Sequence, residues 1–141
     1  MFAYFGYGAQ REYELYLPTR VEAPTSIAHI FDHTGYNAYT FTLTGLQNWN
    51  VQPTKDMSYA FTYAGYSTRE TFDLRDINGW RPTAATNMEG MFYYAGYNAS
   101  TWPGNFRLWN VPNVINHENF INLNYRGSNS AAVNNQPNWQ Y

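Results

Sequence analysis

The sequence predicts an α/β fold in which one domain forms a right-handed repeat solenoid of about four to five coils, each with a short helix and a short parallel strand. The main observation is a pattern of the type Met-Phe-x-x-Ala-Gly-Tyr, which occurs with variations five times at successive spacings of 29, 30, 31 and 28 residues. A period of this size is typical of stacked repeats. The recurring aromatic residues are Phe2, Phe31, Phe61, Phe92 and Phe120, followed by Tyr7, Tyr36, Tyr66, Tyr97 and Tyr125.

A short helix is predicted at the start of each complete copy. Apolar residues there follow the spacing i, i+3, i+4 and i+7, which places them on one face of a helix of about two turns. Residues that favour a helix N-cap precede this face, and glycines that favour a left-handed C-terminal cap follow it. The N-cap candidates are Ser26, Asp56 and Asn87, and the C-cap candidates are Gly35, Gly65 and Gly96.

An extended segment follows the predicted helix in each of the first three copies. Residues 13–15, 41–43 and 72–74 recur in register, and in the first copy apolar and polar residues alternate as in a half-buried strand. We expect one parallel strand per coil. In the fourth copy Trp102-Pro103-Gly104 disturbs the strand, because proline removes a donor from the ladder.

Two aromatic columns are predicted to form the core. Burial of one phenylalanine contributes about 1.5 to 3 kcal/mol, so a column of five stabilises the stack. The predicted core columns are the five phenylalanines above and Trp49, Trp80 and Trp109. We place the repeat domain at residues 1–125 and a polar C-terminal tail or cap at residues 126–141, with Trp139 and Tyr141 as docking anchors.

Composition argues against several classes of function. The net charge is -2 and the eight basic residues are scattered, so nucleic acid is not an expected partner. No stretch approaches the roughly 18 apolar residues of a membrane span, and the first residues have no signal-peptide pattern. Since Met1-Phe2 already matches Met91-Phe92, the chain opens inside a repeat. That opening indicates either a fragment of a longer repeat protein or a small protein that a neighbour covers.

Candidate catalytic and metal-ligating residues form no recognisable set. Asp73 and Asp76 flank Arg75, an arrangement more typical of a solvated turn than of an acid-base pair. His29 and His33 share a helical spacing but lack a third ligand nearby in sequence, and His117 stands apart. No nucleophile elbow, phosphate loop or dinucleotide motif is present. We therefore expect no enzyme activity, no cofactor and no metal.

Tyrosines provide the candidate binding surface. Seven of them recur near the Gly-Tyr pairs and predict an aromatic stripe, which either packs against sugars or a partner protein or serves only as a ladder between coils. The structural ladder is the favoured interpretation, because repeated positions usually serve stacking first. The stripe consists of Tyr7, Tyr36, Tyr63, Tyr66, Tyr94, Tyr97 and Tyr125.

Two stretches resemble the BspA-like repeat surface proteins. They are Trp49-Asn50-Val51 followed by Asp56-Met57, and residues 86–99 with Asn87-Met88 and Met91-Phe92. The likeness covers about residues 1–125 and is closest in the third and fourth copies. It implies a leucine-rich-repeat-like solenoid of the kind found on bacterial cell surfaces, in adhesion and in related phage proteins. It provides no catalytic residues.

We expect a non-catalytic structural or binding module that is exposed on a virus particle or on a cell surface. In the first hypothesis it is a structural subunit of a phage virion or filament, which associates with itself or with other subunits. In the alternative it is an adhesin fragment that binds glycan or host protein through the tyrosine stripe. No membrane insertion is expected.

Overall fold

The computed structural model describes residues 2–17, 20–22, 24–122 and 130–139. Within these ranges the strands are β1 (Glu12–Tyr16), β2 (Thr40–Thr44) and β3 (Phe72–Asp73). Two short 3-10 helices follow at Leu46–Asn48 and Arg75–Gly79, and one short α-helix, α1, spans Ser130–Asn134. None of the helices among the described residues has the length and apolar character that crossing a membrane requires.

The three strands form a parallel sheet in the order β1-β2-β3. Tyr13 pairs with Phe41, and Phe41 pairs with Phe72, so one residue of each strand lies in the same buried row. Their ring centroids are 5.2 and 4.6 Å apart. The fourth repeat keeps only an isolated bridge between Thr71 and Thr101. Parallel strands are therefore present in three repeats, and the third is shorter than predicted.

The predicted helices are absent, and this overturns the expected α/β solenoid of helix-plus-strand coils. Residues 28–37, 58–67 and 93–98 form consecutive turns instead. The Ile30 amide donates to the Ile27 carbonyl at 3.2 Å, whereas the Phe31 amide donates to the Ala60 carbonyl of the next repeat at 2.8 Å. Within the described ranges the regular structure is three short parallel strands in an open sheet and a single five-residue α-helix.

The physical reason lies in where the backbone amides find their acceptors. Isolated helices shorter than roughly 12 residues are marginal in water. Here alternate amides bond to the next repeat, at His29 to Ser58 (3.1 Å) and at His33 to Thr62 (2.9 Å), while the amides between them close turns. Apolar residues at i, i+3 and i+4 still reach one side of such a turn series. The helical spacing was therefore correctly observed and wrongly interpreted.

The residues predicted as helix caps hold turns. Side-chain oxygens of Ser26, Asp56 and Asn87 accept a hydrogen bond from the amide two residues later, at 3.1, 3.0 and 3.1 Å. These positions also pair with one another as parallel bridges across repeats. The predicted left-handed glycines are confirmed, because Gly35, Gly65 and Gly96 have φ of 57°, 54° and 55°.

A column of phenylalanines forms the centre of the core. Phe31, Phe61 and Phe92 have no exposed surface, and their ring centroids are 5.1 and 5.4 Å apart. Phe2 stacks on Phe31 at 5.3 Å, and Phe120 meets Phe92 edge to face at 5.2 Å. We call Phe2, Phe31, Phe61 and Phe92 the phenylalanine column.

The tryptophans form a second buried column that links repeats through their indole groups. The N–H groups of Trp80 and Trp109 donate to the carbonyls of Leu46 and Ile77, each at 2.9 Å. Trp49 is also buried, but its indole nitrogen has no partner among the described residues. Two of the three tryptophans therefore combine packing with a hydrogen bond to the preceding repeat.

The two ends of the row of repeats differ. At the C-terminal end the Trp139 ring stacks on His117 at 4.1 Å and meets Phe120 edge to face at 5.0 Å. The predicted docking residue Trp139 thus covers its own chain, while Tyr141 lies outside the described residues. At the N-terminal end an apolar groove lies between β1 and the first turns, lined by Phe2, Leu15, Val21, Ile30 and Trp49 among others.

Candidate aromatic binding face

Two parallel columns of stacked rings lie side by side on one face of the molecule. The outer tyrosine column consists of Tyr7, Tyr36, Tyr66 and Tyr97, with ring centroids 4.9, 5.0 and 5.7 Å apart. Beside it is the mixed column of Tyr4, His33, Tyr63 and Tyr94, with distances of 4.8, 4.8 and 5.0 Å. Rings of the two columns contact each other within a repeat, for example His33 and Tyr36 at 5.5 Å.

The outer tyrosine column is positioned by the glycine before each tyrosine. A Cβ atom at Gly96 would lie 2.5 Å from Cγ of Phe72, and one at Gly35 would lie 2.8 Å from Cγ of Tyr13. The backbone therefore touches the buried sheet row at the glycine and turns the next side chain outward. Only glycine combines this close approach with a positive φ at no steric cost.

Backbone hydrogen bonds between repeats set the spacing of the rings. The amide that follows each outer tyrosine donates to the carbonyl of the tyrosine in the preceding repeat, as in Ser67 to Tyr36 at 2.9 Å. Asn37 bonds in the same way to Tyr7, and Asn98 to Tyr66, each at 3.3 Å. Because neighbouring parallel chains lie about 4.8 Å apart, the rings are brought to stacking distance.

The mixed column depends on an unusual backbone conformation. Tyr4, His33, Tyr63 and Tyr94 have φ of 59°, 54°, 53° and 57°, a region that side chains other than glycine rarely adopt. Each is the third residue of a four-residue turn or follows that pattern, and the Tyr63 amide bonds to the Tyr93 carbonyl at 2.8 Å. Interactions between repeats must hold this conformation, because it costs about 1 to 3 kcal/mol per residue.

The face exposes ring edges more than ring faces. Tyr4 and Tyr7 in the first repeat are 58% and 41% exposed, and the rings of Tyr36, Tyr66 and Tyr97 are half-buried. Adjacent rings in the outer tyrosine column are nearly parallel, with interplanar angles of 16°, 11° and 3°. Each inner ring therefore has both faces covered by its neighbours.

The phenol groups stay protonated in neutral solution. Burial raises the pKa of Tyr36, and the neighbouring phenols of Tyr66 and Tyr7 raise it further. Burial is also the main cause that raises the pKa of Tyr63, followed by the surrounding tyrosines. A protonated phenol both donates and accepts a hydrogen bond. The columns thus present neutral, two-way hydrogen-bonding groups.

Sequence reasoning found most of this face and missed two members. Tyr7, Tyr36, Tyr66 and Tyr97 share one column, and Tyr63 and Tyr94 lie in the other; Tyr125 is outside the described residues. The missed residues are Tyr4 and His33. Their repeat register was the available signal, because His33 stands 30 residues before Tyr63.

The remaining candidates have structural surroundings. Asp32 contacts both His29 and His33, and no group of three metal-ligating side chains occurs in the described part of the chain. Asp73 binds Arg75 with N–O distances of 2.7 to 3.2 Å, and Asp76 accepts the Gly45 amide at 2.7 Å. These two carboxylates therefore hold loops.

Comparison with known proteins places the chain in a family without indicating an activity. The family model described as "Mycoplasma protein of unknown function, DUF285" matches residues 22–135. Neither a curated protein sequence nor a solved structure matches the chain.

Proposed function

We propose, on the premise that this chain belongs to the family described as Mycoplasma protein of unknown function, DUF285, that it is a non-catalytic binding module exposed on a cell surface or a virus particle. Its ligand, a surface glycan or a host protein, binds the two aromatic columns. The narrower BspA-like resemblance and a role in adhesion are part of this proposal.

The observation that carries the proposal is the partial exposure of both columns. Rings that serve only as core packing are fully buried, as Phe61 is, whereas eight aromatic rings here form a continuous face that solvent reaches. Tyrosine is well suited to recognition, because it offers a rigid apolar ring and a polar hydroxyl at low entropic cost. A stacked row on the surface is therefore pre-organised for a ligand.

The test compares tyrosines inside and outside the face. A glycan array and a panel of surface proteins are screened with the intact chain, and the double variant Tyr66→Ala and Tyr97→Ala is then measured. Tyr16→Ala is the matched control, because Tyr16 is 64% exposed and lies on β1, outside both columns. We expect the double variant to lose binding and the control to keep it. Equal loss in both, or no ligand in either screen, contradicts the proposal.

A structural subunit of a virion or filament is the second candidate. It is favoured by the apolar groove at the N-terminal end, where Phe2, Leu15 and Val21 surround an edge strand with no strand beyond it among the described residues. Docking through both ends is disfavoured, because Trp139 covers the other end.

Sedimentation across a concentration series tests this second candidate. A mass that rises with concentration, and no longer rises in Val21→Glu, supports assembly through the groove. A monomer at every concentration contradicts it and leaves the aromatic face as the functional surface.

A further inference from the structure

We infer that the ligand of the aromatic face is a linear, uncharged polysaccharide, which lies along the outer tyrosine column and is bound by tyrosine hydroxyls and ring edges. This inference rests on the proposed binding function and specifies its ligand. It differs from the usual way in which aromatic side chains hold sugars, where the sugar ring packs on an open ring face.

Ring faces in the middle of the outer tyrosine column are not accessible. Tyr36 lies between Tyr7 and Tyr66 at 4.9 and 5.0 Å, and Tyr66 lies between Tyr36 and Tyr97 at 5.0 and 5.7 Å. These are stacking distances that leave no space for a third ring. A ligand that contacts all the rungs must therefore approach the edges.

The hydroxyl groups are the available polar atoms on those edges. No hydrogen bond from the hydroxyls of Tyr7, Tyr36 or Tyr66 is found within the described part of the chain. The hydroxyl is the atom of the ring farthest from the backbone, and the near-parallel stacking repeats its orientation from one rung to the next. The effect of Tyr66 and Tyr7 on the pKa of Tyr36 agrees with such a row.

The residues beside the row are polar and mostly neutral. Asn37, Ser67 and Asn98 each follow an outer tyrosine, and the Asn98 side chain donates to the Tyr66 carbonyl at 2.9 Å, which orients its amide. A shallow depression lined by Ser67, Arg69 and Asn98 adjoins Tyr66. Hydroxyl and amide groups complement the hydroxyl groups of a sugar, and Arg69 is the one cation in the lining of this depression.

The regular spacing selects a polymer over a single sugar. The rungs repeat at about 5 Å in three successive intervals, so equivalent groups on a linear ligand meet equivalent hydroxyls. Each net hydrogen bond contributes a factor of roughly five in affinity, and several in a row accumulate. Affinity should therefore rise with ligand length up to about four units.

The test uses the whole chain with oligosaccharides of defined length. Linear β-1,4-linked glucose and N-acetylglucosamine oligomers of one to six units are titrated by calorimetry, with a linear uronic acid oligomer as the charged comparison. The informative variants are Tyr36→Phe and Tyr66→Phe, which remove the hydroxyl and keep the stacked ring. Tyr16→Phe is the control, and thermal unfolding confirms that each variant is folded.

We expect affinity to increase from one to about four units and then level off, and each ladder variant to bind the longest oligomer about fivefold more weakly. Unchanged binding in the phenylalanine variants, together with loss in Tyr66→Ala, overturns the hydroxyl row and leaves the proposed function intact. Tighter binding of the uronic acid oligomer overturns the uncharged ligand. No binding of any oligomer overturns the inference, and the protein arm of the earlier screen then decides the proposed function separately.

Discussion

The phenylalanine column and the outer tyrosine column have almost the same geometry and very different environments. Ring centroids are 5.1 Å apart between Phe31 and Phe61, and 5.0 Å apart between Tyr36 and Tyr66. Phe61 has no exposed surface, whereas Tyr66 is half-buried. The repeat spacing thus creates stacked columns wherever an aromatic residue recurs. Burial then decides whether a column stabilises the fold or remains available to a ligand.

The largest expected effect is on the buried side of this comparison. Phe61→Ala should lower the free energy of unfolding by about 3 to 5 kcal/mol, because it leaves a cavity between Phe31 and Phe92. Tyr66→Ala in the same repeat should cost only about 1 to 2 kcal/mol, since its loss is mainly two ring contacts. Urea denaturation of both variants measures the difference. Equal losses would show that the two columns are both core.

The next effect concerns the glycine that joins the two columns. Gly96→Ala should cost about 2 kcal/mol or more, because φ is 55° and the new Cβ would lie 2.5 Å from Cγ of Phe72. Gly79→Ala is the matched control, as no atom lies within 4 Å of its added Cβ. Thermal unfolding distinguishes them. A tolerated Gly96→Ala would mean that the outer column does not depend on this close approach.

A smaller effect separates two members of the tryptophan column. Trp80→Phe should cost about 1 to 3 kcal/mol more than Trp49→Phe, because only Trp80 loses an indole hydrogen bond and leaves the Leu46 carbonyl without its donor. Denaturant unfolding of the two variants compares the same chemical change at equivalent repeat positions. Identical losses would indicate that the indole bond contributes nothing between repeats.

The smallest effect is a pH dependence from a tyrosine on the buried side. Burial raises the pKa of Tyr13, which pairs with Phe41 in the sheet row. The unfolded chain ionises its tyrosines near pH 10, so the stability that Tyr13 contributes is fully present below that pH and is lost as pH rises further. Tyr13→Phe should flatten the decline in unfolding free energy above about pH 10. Tyr16→Phe, at an exposed position, is the control; a decline that persists unchanged in Tyr13→Phe would contradict this account.

The sequence allowed the repeat register to be predicted, but not the backbone that carries it. The positions of Phe31, Phe61 and Phe92 follow from counting residues, and so do the strands near Tyr13, Phe41 and Phe72. The helices were wrong because apolar spacing reports which side chains share a face and not which carbonyl each amide reaches. The Phe31 amide bonds to Ala60, 29 residues away, and no local pattern encodes that choice.

The candidate site was only partly predictable for a related reason. Gly-Tyr pairs identified the outer tyrosine column, since glycine and tyrosine recur together. His33 was weighed as a metal ligand, because its chemistry drew more attention than its register with Tyr63. Whether a column is buried depends on what covers it from elsewhere in the chain. Trp139 shows this, because it covers His117 and Phe120 from beyond the repeats.

The most direct test of the central claim measures stability and affinity in one variant, Tyr66→Phe. The ring and its stacking on Tyr36 and Tyr97 remain, and only the hydroxyl at the exposed edge is removed. We predict that the free energy of unfolding changes by less than about 0.5 kcal/mol. Affinity for the longest oligosaccharide should fall about fivefold. Unchanged affinity, or a loss of stability large enough to explain weaker binding, would contradict the claim that this column is a ligand-binding edge.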